Sequence, residues 1–188
     1  MEKTGIARFP KPVFHRIPNF VGAEKASQKL RELPEYKATK IVFCSPDSPQ
    51  RPVREMILKD GKTLVMATPR LKHGFLVVTP ETTTGKERFA STIKGAFKFG
   101  KETTAFPKLC LIVTGSVAVD KDGNRLGKGR GYGDREVKMI KEKFGKVPVA
   151  TTVYDVQLVE YAPSTPYDEK VDIIVTPTKI IRTKYNKR

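Results

Sequence analysis

The stretch Gly123-Asn-Arg-Leu-Gly-Lys-Gly-Arg-Gly-Tyr-Gly-Asp-Arg135 follows an apolar run, Leu109-Cys-Leu-Ile-Val-Thr114, and precedes Val137, Ile140 and Phe144 at helical spacing. The expected local order is a buried strand, a glycine-rich loop and a helix stopped by Gly145. Glycines at 127, 129 and 131 have no Cβ, so successive N–H groups can turn into one concavity that a phosphate approaches closely. The dipole of the following helix adds positive potential at the same spot. Arg125, Lys128, Arg130 and Arg135 surround it with mobile positive charge. A solvated surface loop fits the spacing too, because a lone Gly-x-Gly-x-Gly is a weak signal. Position favours phosphate: in open α/β sheets, ligands bind at the carboxyl ends of the strands. The loop is neither a Walker loop nor a dinucleotide fingerprint. Its spacing is wrong for both, and Gly129 stands where a Walker loop has Ser or Thr.

Outward from the loop, the chain alternates short apolar runs with helical patterns. Lys40-Ile-Val-Phe-Cys44, Thr63-Leu-Val-Met-Ala67, Gly74-Phe-Leu-Val-Val78, Val149-Ala-Thr-Thr-Val153 and Asp172-Ile-Ile-Val-Thr176 read as strands. Helices are expected over Gly22–Leu33, ended by Pro34, and over Pro49–Lys59, with Val53, Met56 and Ile57 inward. Strands apolar on both faces and separated by helices predict an α/β fold in three layers, a mostly parallel sheet with helices on both sides. The middle, 82–107, is poorly patterned, with Ile93, Ala96 and Phe97 as the apolar face of a short helix. Prolines 10, 12 and 18 make residues 1–20 an extended, basic arm rather than a helix. Residues 179–188 form a basic tail. With no internal repeat or long linker, 1–188 is expected to be one domain.

Thirty-six Lys and Arg against 20 Asp and Glu leave a net charge of +16, too large an excess for ion pairing to absorb. Such a field attracts nucleotides, polyanionic cofactors or RNA. A solvated basic surface with no partner is the plain alternative, and no clustered stacking motif of the RNA-recognition type is present. Hydrophobic content of 38% excludes disorder, and no run approaches the length of a membrane helix. The start of the chain lacks an apolar signal core, so the expected location is the cytoplasm. Cys44 and Cys110 each lie in a strand-like run and are expected to be reduced and buried. With His15 and His73 they make no zinc spacing.

Asp134, at the loop–helix junction, reads either as a helix-capping acid or as a carboxylate for magnesium bridging phosphates. Asp172, at the start of a late strand, is the candidate second carboxylate.

These residues resemble the 5-formyltetrahydrofolate cyclo-ligases, whose loop reads Gly-x-Arg-Leu-Gly-x-Gly-x-Gly-Tyr-Tyr-Asp-Arg. Gly123, Arg125, Leu126, Gly127, Gly129, Gly131, Tyr132, Asp134 and Arg135 are in register, and Gly133 departs. Ile112–Asp120, Pro166–Thr176, Leu33–Lys37 and Asp60–Lys62 extend the likeness over most of the chain. Phe9–Val13, His15–Phe20, Thr68–Leu71, Gly115–Val119 and Thr176–Thr178 are similar to the methenyltetrahydrofolate synthetase domain-containing subgroup. Some members of that subgroup carry an RNA-recognition domain, which this sequence lacks. The resemblance implies a cyclo-ligase-like domain that binds ATP and magnesium and closes the ring of 5-formyltetrahydrofolate or a related formylated pterin. The products would be the 5,10-methenyl form, ADP and phosphate. It places Gly127, Lys128, Gly129, Arg130, Gly131, Tyr132, Gly133, Asp134 and Arg135 at ATP. Arg125 and Lys128 would offset phosphate charge, and Asp134 and Asp172 would hold magnesium. A non-catalytic nucleotide- or RNA-binding protein on the same fold is the competing expectation.

Three departures lie outside the loop, one toward ATP and two toward the second substrate. The proline-rich arm replaces a helix whose Lys and Arg reach ATP in the family, leaving Arg16 and Lys25 as candidate substitutes. The family's folate-contacting Glu is missing after the first strand, in Ser45–Arg51, where Asp47 is the acid present. Tyr167 stands where His is common.

Overall fold

The computed structural model describes residues 1–105 and 108–187, with Asn186 and Lys187 given by backbone alone. Phe106, Pro107 and Arg188, which end the poorly patterned middle and the basic tail, lie outside the described residues.

The main sheet contains β1 (Ile41–Cys44), β2 (Thr63–Ala67), β3 (Phe75–Val78), β4 (Lys101–Thr103), β5 (Ile112–Thr114), β8 (Val149–Thr152), β9 (Ile173–Val175) and β10 (Ile180–Arg182). Two short strands, β6 (Ala118–Val119) and β7 (Arg125–Leu126), form a separate ribbon. The helices are α1 (Ala23–Arg31), α2 (Pro34–Ala38), α3 (Arg51–Lys59), α4 (Pro80–Thr83), α5 (Glu87–Ala90), α6 (Ile93–Phe99) and α7 (Tyr132–Phe144).

Strand order in the sheet is β10-β9-β8-β5-β1-β2-β3-β4. The central strands β9, β8, β5, β1 and β2 are all parallel. Side-chain alternation between two covered faces explains why their sequences are mostly apolar. Val42, Cys44, Leu64, Met66, Val113 and Val175 bury on one face, with Leu30 of α1 and Val53 and Ile57 of α3. Phe43, Val65, Ile112 and Ile174 bury on the other, with Val137 and Ile140 of α7. The three layers expected from the sequence are therefore present.

The sheet edges run antiparallel, at β2–β3, β3–β4 and β9–β10. Residues 68–74 and 176–179 are too short for a parallel crossover, which needs about a dozen residues or more. Pro34 does not simply end the first helix. It occupies the first turn of α2, where a missing N–H is harmless. Helix α6 forms, but it buries Gly95 and Ala96 while Ile93 and Phe97 stay exposed. Cys44 is buried as expected; Cys110 is exposed, because β5 begins only at Ile112. The arm 1–20 has no helix and is pinned by a bridge between Ala7 and Phe20. Among the described residues, no helix is long and apolar enough to cross a membrane.

Candidate functional site

The chain leaves β1 toward one sheet edge, to β2, and later returns to the other side of β1 as β5. Two segments that leave carboxyl ends at this reversal point are Pro46–Ser48, after β1, and Gly115, after β5. The connection after β2, Thr68–Arg70, lies beside them. A cleft of about 520 Å³ opens here, walled by Pro46–Ser48 and Thr68–Arg70, by Pro10 and His15–Ile17 of the arm, by Ile93, and by Lys128, Arg130, Tyr132, Gly133 and Glu136. A smaller chamber of about 30 Å³ adjoins it, bounded by Gly127, Gly131, Gly133, Asp134 and Arg125.

The stretch from Gly123 to Arg135 is two structures rather than one loop. Gly123 turns the β6–β7 ribbon at φ 86°, and a Cβ there would lie 2.5 Å from the Val171 carbonyl oxygen, so it packs rather than binds. The loop proper is Gly127–Gly131, with Gly129 at φ 83° and Gly131 at φ 64°, and both face open space. Gly131 caps α7 in the left-handed conformation, and among the described residues no side-chain cap satisfies the helix start. A concavity of free backbone donors at a helix start is what an anion needs.

Arg125 is not mobile charge around this loop. It is 3% exposed and lies beneath it. Its Nη1 donates to the Gly115 carbonyl at 3.0 Å, and its Nη2 to Asp134 Oδ1 at 2.5 Å. A Cβ on Gly127 or Gly133 would sit 3.4 and 3.3 Å from the guanidinium, so these glycines let the loop rest directly on it. Asp134 makes no capping hydrogen bond. Besides Arg125, its Oδ1 accepts the Glu169 N–H at 3.1 Å. Among the described residues Oδ2 accepts nothing, and Asp134 lines the small chamber.

Lys128 lines both chambers, and its Nζ donates to Asp47 Oδ1 at 2.8 Å. Arg130, Tyr132 and Gly133 also line both. Arg135 does not; its guanidinium stacks over the Tyr132 ring on the exposed side. Of the two candidate arm cations, Arg16 reaches the cleft, whereas Lys25 lies on α1 away from it.

Asp172 is not brought to the site. It is 5% exposed, and its Oδ2 accepts the Val149 N–H at 2.9 Å. It precedes β9, so a parallel strand places it at the amino end of the sheet, opposite the cleft. Among the described residues no three His, Cys, Asp or Glu side chains gather as a metal cage. Tyr167 is exposed and off the cleft.

Two cleft residues, and one buried behind the cleft wall, went unread in the sequence. Glu136 is 6% exposed, and burial, then the nearby Asp47 charge, push its carboxyl up to about 8. Its signal was available: the stripe Phe144, Ile140 continues at i−4 to Glu136, an acid on an apolar face. Arg70, with Leu71, adopts positive φ at the rim, 58° and 55°, a strained pairing for side-chain-bearing residues. Arg54 is buried and donates to the carbonyls of Ser45, Asp47 and Ser91, which fixes the Pro46–Ser48 wall.

Together these features define an α/β protein with a cationic cleft and a glycine-loop helix start at a topological switch point. A model of the 5-formyltetrahydrofolate cyclo-ligase family matches residues 10–177, and the chain belongs to that family. It is 40% identical over 196 residues to the methenyltetrahydrofolate synthase domain-containing protein of Mus musculus, covering 97% of this chain and 52% of the relative. The Homo sapiens protein of the same name is 38% identical over 193 residues, covering 97% and 50%. The chain thus spans about half the length of the curated relatives it matches. Among solved structures, Aquifex aeolicus 5,10-methenyltetrahydrofolate synthetase superposes with TM-score 0.60 at 24% identity, covering 87% of this chain and 81% of that one. The Mycoplasma pneumoniae 5,10-methenyltetrahydrofolate synthetase gives 0.53 at 18%, covering 81% and 83%. At those identities the likeness concerns the fold.

Proposed function

We propose that the chain is an ATP- and magnesium-dependent cyclo-ligase acting on 5-formyltetrahydrofolate or a related formylated pterin. The observation that carries this reading is the pair of adjoining chambers, one lined by the glycine loop and Asp134, the other by apolar walls and Glu136. Family membership supports the same reaction class.

In this reading the N–H groups of Gly127–Gly133 hold the ATP phosphates where the small chamber opens into the cleft. Lys128 and Arg130 offset charge on the transferring phosphoryl group, with Arg16 and Arg70 across the large chamber. Transfer to the formyl oxygen converts that oxygen into a leaving group. Attack by the neighbouring ring-system amine on the formyl carbon then closes the ring and expels phosphate. The protein's part is positioning and charge stabilisation. Magnesium, when bound, would neutralise phosphate charge, and the free Oδ2 of Asp134 fits it as a single carboxylate alongside phosphate oxygens. Asp172 takes no part. Purified protein with ATP, magnesium and 5-formyltetrahydrofolate should develop methenyl absorbance. Intact ATP binding with no turnover would overturn the proposal.

A second reading, RNA binding, draws on one surface. Lys86, Arg88, Lys94, Lys98 and Lys101 are exposed around α5 and α6, beside exposed Phe89 and Phe97. Basic residues interleaved with aromatics suit single-stranded nucleic acid. Affinity for a short unstructured RNA should then fall steeply with salt. Undetectable binding at low salt would remove this reading.

A further inference from the structure

The large chamber has a rim and a floor of opposite character. Arg16, Arg70, Lys128 and Arg130 line it as cations, and Asp47 and Glu136 are its two acids. Asp47 is already engaged, with Oδ1 on the Lys128 ammonium and its carbonyl taken by Arg54. Glu136 is not engaged. It is nine-tenths buried and accepts no hydrogen bond among the described residues; only charges at a distance act on it.

Its carboxyl oxygens are not sealed from water, so water serves them in the open cleft and a ligand's donors would displace it. Glu136 is held at the cleft because α7 is fixed by Val137 and Ile140 in the core. It does not belong to the phosphate chamber, whose lining includes Asp134 and omits Glu136. What it faces is the space between Ile17, Pro46, Pro69 and Ile93. Apolar walls above a carboxyl suit a flat ring with hydrogen-bond donors along one edge. A cationic amine would satisfy the carboxyl too, but four surrounding Lys and Arg side chains repel one. Neutral N–H donors meet no such opposition.

We propose that Glu136 is the specificity residue of the large chamber, accepting two adjacent N–H groups from a 2-amino-4-oxopyrimidine edge of a fused heterocycle. The identity of the ring rests on the cyclo-ligase reading; the choice of residue rests on geometry alone. Glu136 thus supplies the acid that the Ser45–Arg51 segment does not, because Asp47 there is held by Lys128.

The test compares wild type with Glu136→Gln by calorimetry at about pH 9, where the Glu136 carboxyl is ionised and can accept both N–H groups, using 5-formyltetrahydrofolate and its 2-deamino counterpart. Wild type should prefer the amino compound by tenfold or more on the order expected for one lost charged hydrogen bond. In Glu136→Gln the preference should shrink to within about threefold, while affinity for a non-hydrolysable ATP analogue stays within about twofold. Unfolding midpoints confirm that both proteins are folded, and the variant should be no less stable, since it loses an unpartnered acid. A tenfold preference surviving in Glu136→Gln, or none in wild type, would overturn the assignment. If wild type binds neither folate, the substrate reading fails on its own. The assignment is then decided by NMR titration with 2-aminopyrimidin-4-one, which should perturb the cleft in wild type and not in Glu136→Gln. No perturbation in wild type would overturn it.

Discussion

Replacing Arg125 by Met should destabilise the fold far more than replacing any other cation of the glycine loop. The guanidinium is 3% exposed and holds two partners at once, the Gly115 carbonyl and the Asp134 carboxylate. Its removal leaves Asp134 with one donor, the Glu169 N–H, and leaves the Gly115 carbonyl empty. Breaking a buried pair by deleting one partner costs about 3–5 kcal/mol. Asp134 is 16% exposed, so water recovers part of that, and a loss of about 3 kcal/mol is the working figure. For a chain of this size that lowers the thermal midpoint by about 6–12 °C. Urea unfolding with an unchanged m-value is the primary assay. Arg125→Lys should recover little, because one ammonium cannot reproduce the planar fork. A double-mutant cycle with Asp134→Asn should show coupling of at least about 1 kcal/mol. If Arg125→Met lost less than about 1 kcal/mol, the buried-staple account would be wrong. So would a result in which nucleotide affinity collapses while stability holds, which would make Arg125 a direct phosphate ligand.

Lys128→Ala should show the opposite pattern, losing less than about 1 kcal/mol because its bridge to Asp47 is half-exposed, yet weakening ATP analogue binding about tenfold by calorimetry. Gly131→Ala, at φ 64° with open space around it, should cost about 1 kcal/mol of backbone strain, read by urea unfolding, without a steric clash. Only Cys110 should react with a thiol reagent at pH 8 in the native protein, and both cysteines should react in urea. Burial pushes the Cys44 thiol from 9 up to about 12. Between those values the unfolded chain releases a proton that the folded chain keeps. Stability should therefore fall as pH rises through that window, by up to about 1.4 kcal/mol per unit, and Cys44→Ala should lack this slope.

Much of the architecture was legible because it depends on local periodicity. Runs such as Ile41–Cys44 and Leu64–Ala67 are apolar at every position, as strands of a sheet covered on both faces are. The α7 stripe and its Gly145 stop were equally local. Strand direction at the edges was less visible, although the lengths of 68–74 and 176–179 carried the information. Ile93 and Phe97 misled because helical spacing names an apolar face without saying whether anything covers it; small Gly95 and Ala96 allow the close approach instead.

The sequence by itself determined the strand–loop–helix order, the three layers and the glycines that leave the loop's N–H groups open, because each follows from spacing along one segment. Only tertiary structure decided which charged residues meet. Arg125 went beneath the loop because Gly115, ten positions earlier, returns a carbonyl to it. Asp172 went to the far end of the sheet because a parallel strand begins there. Asp47 and Lys128, 81 positions apart, met across the switch point, and Glu136 was left facing the cleft unpaired. Pairings of this kind depend on chain path over long separations, and no local pattern encodes them.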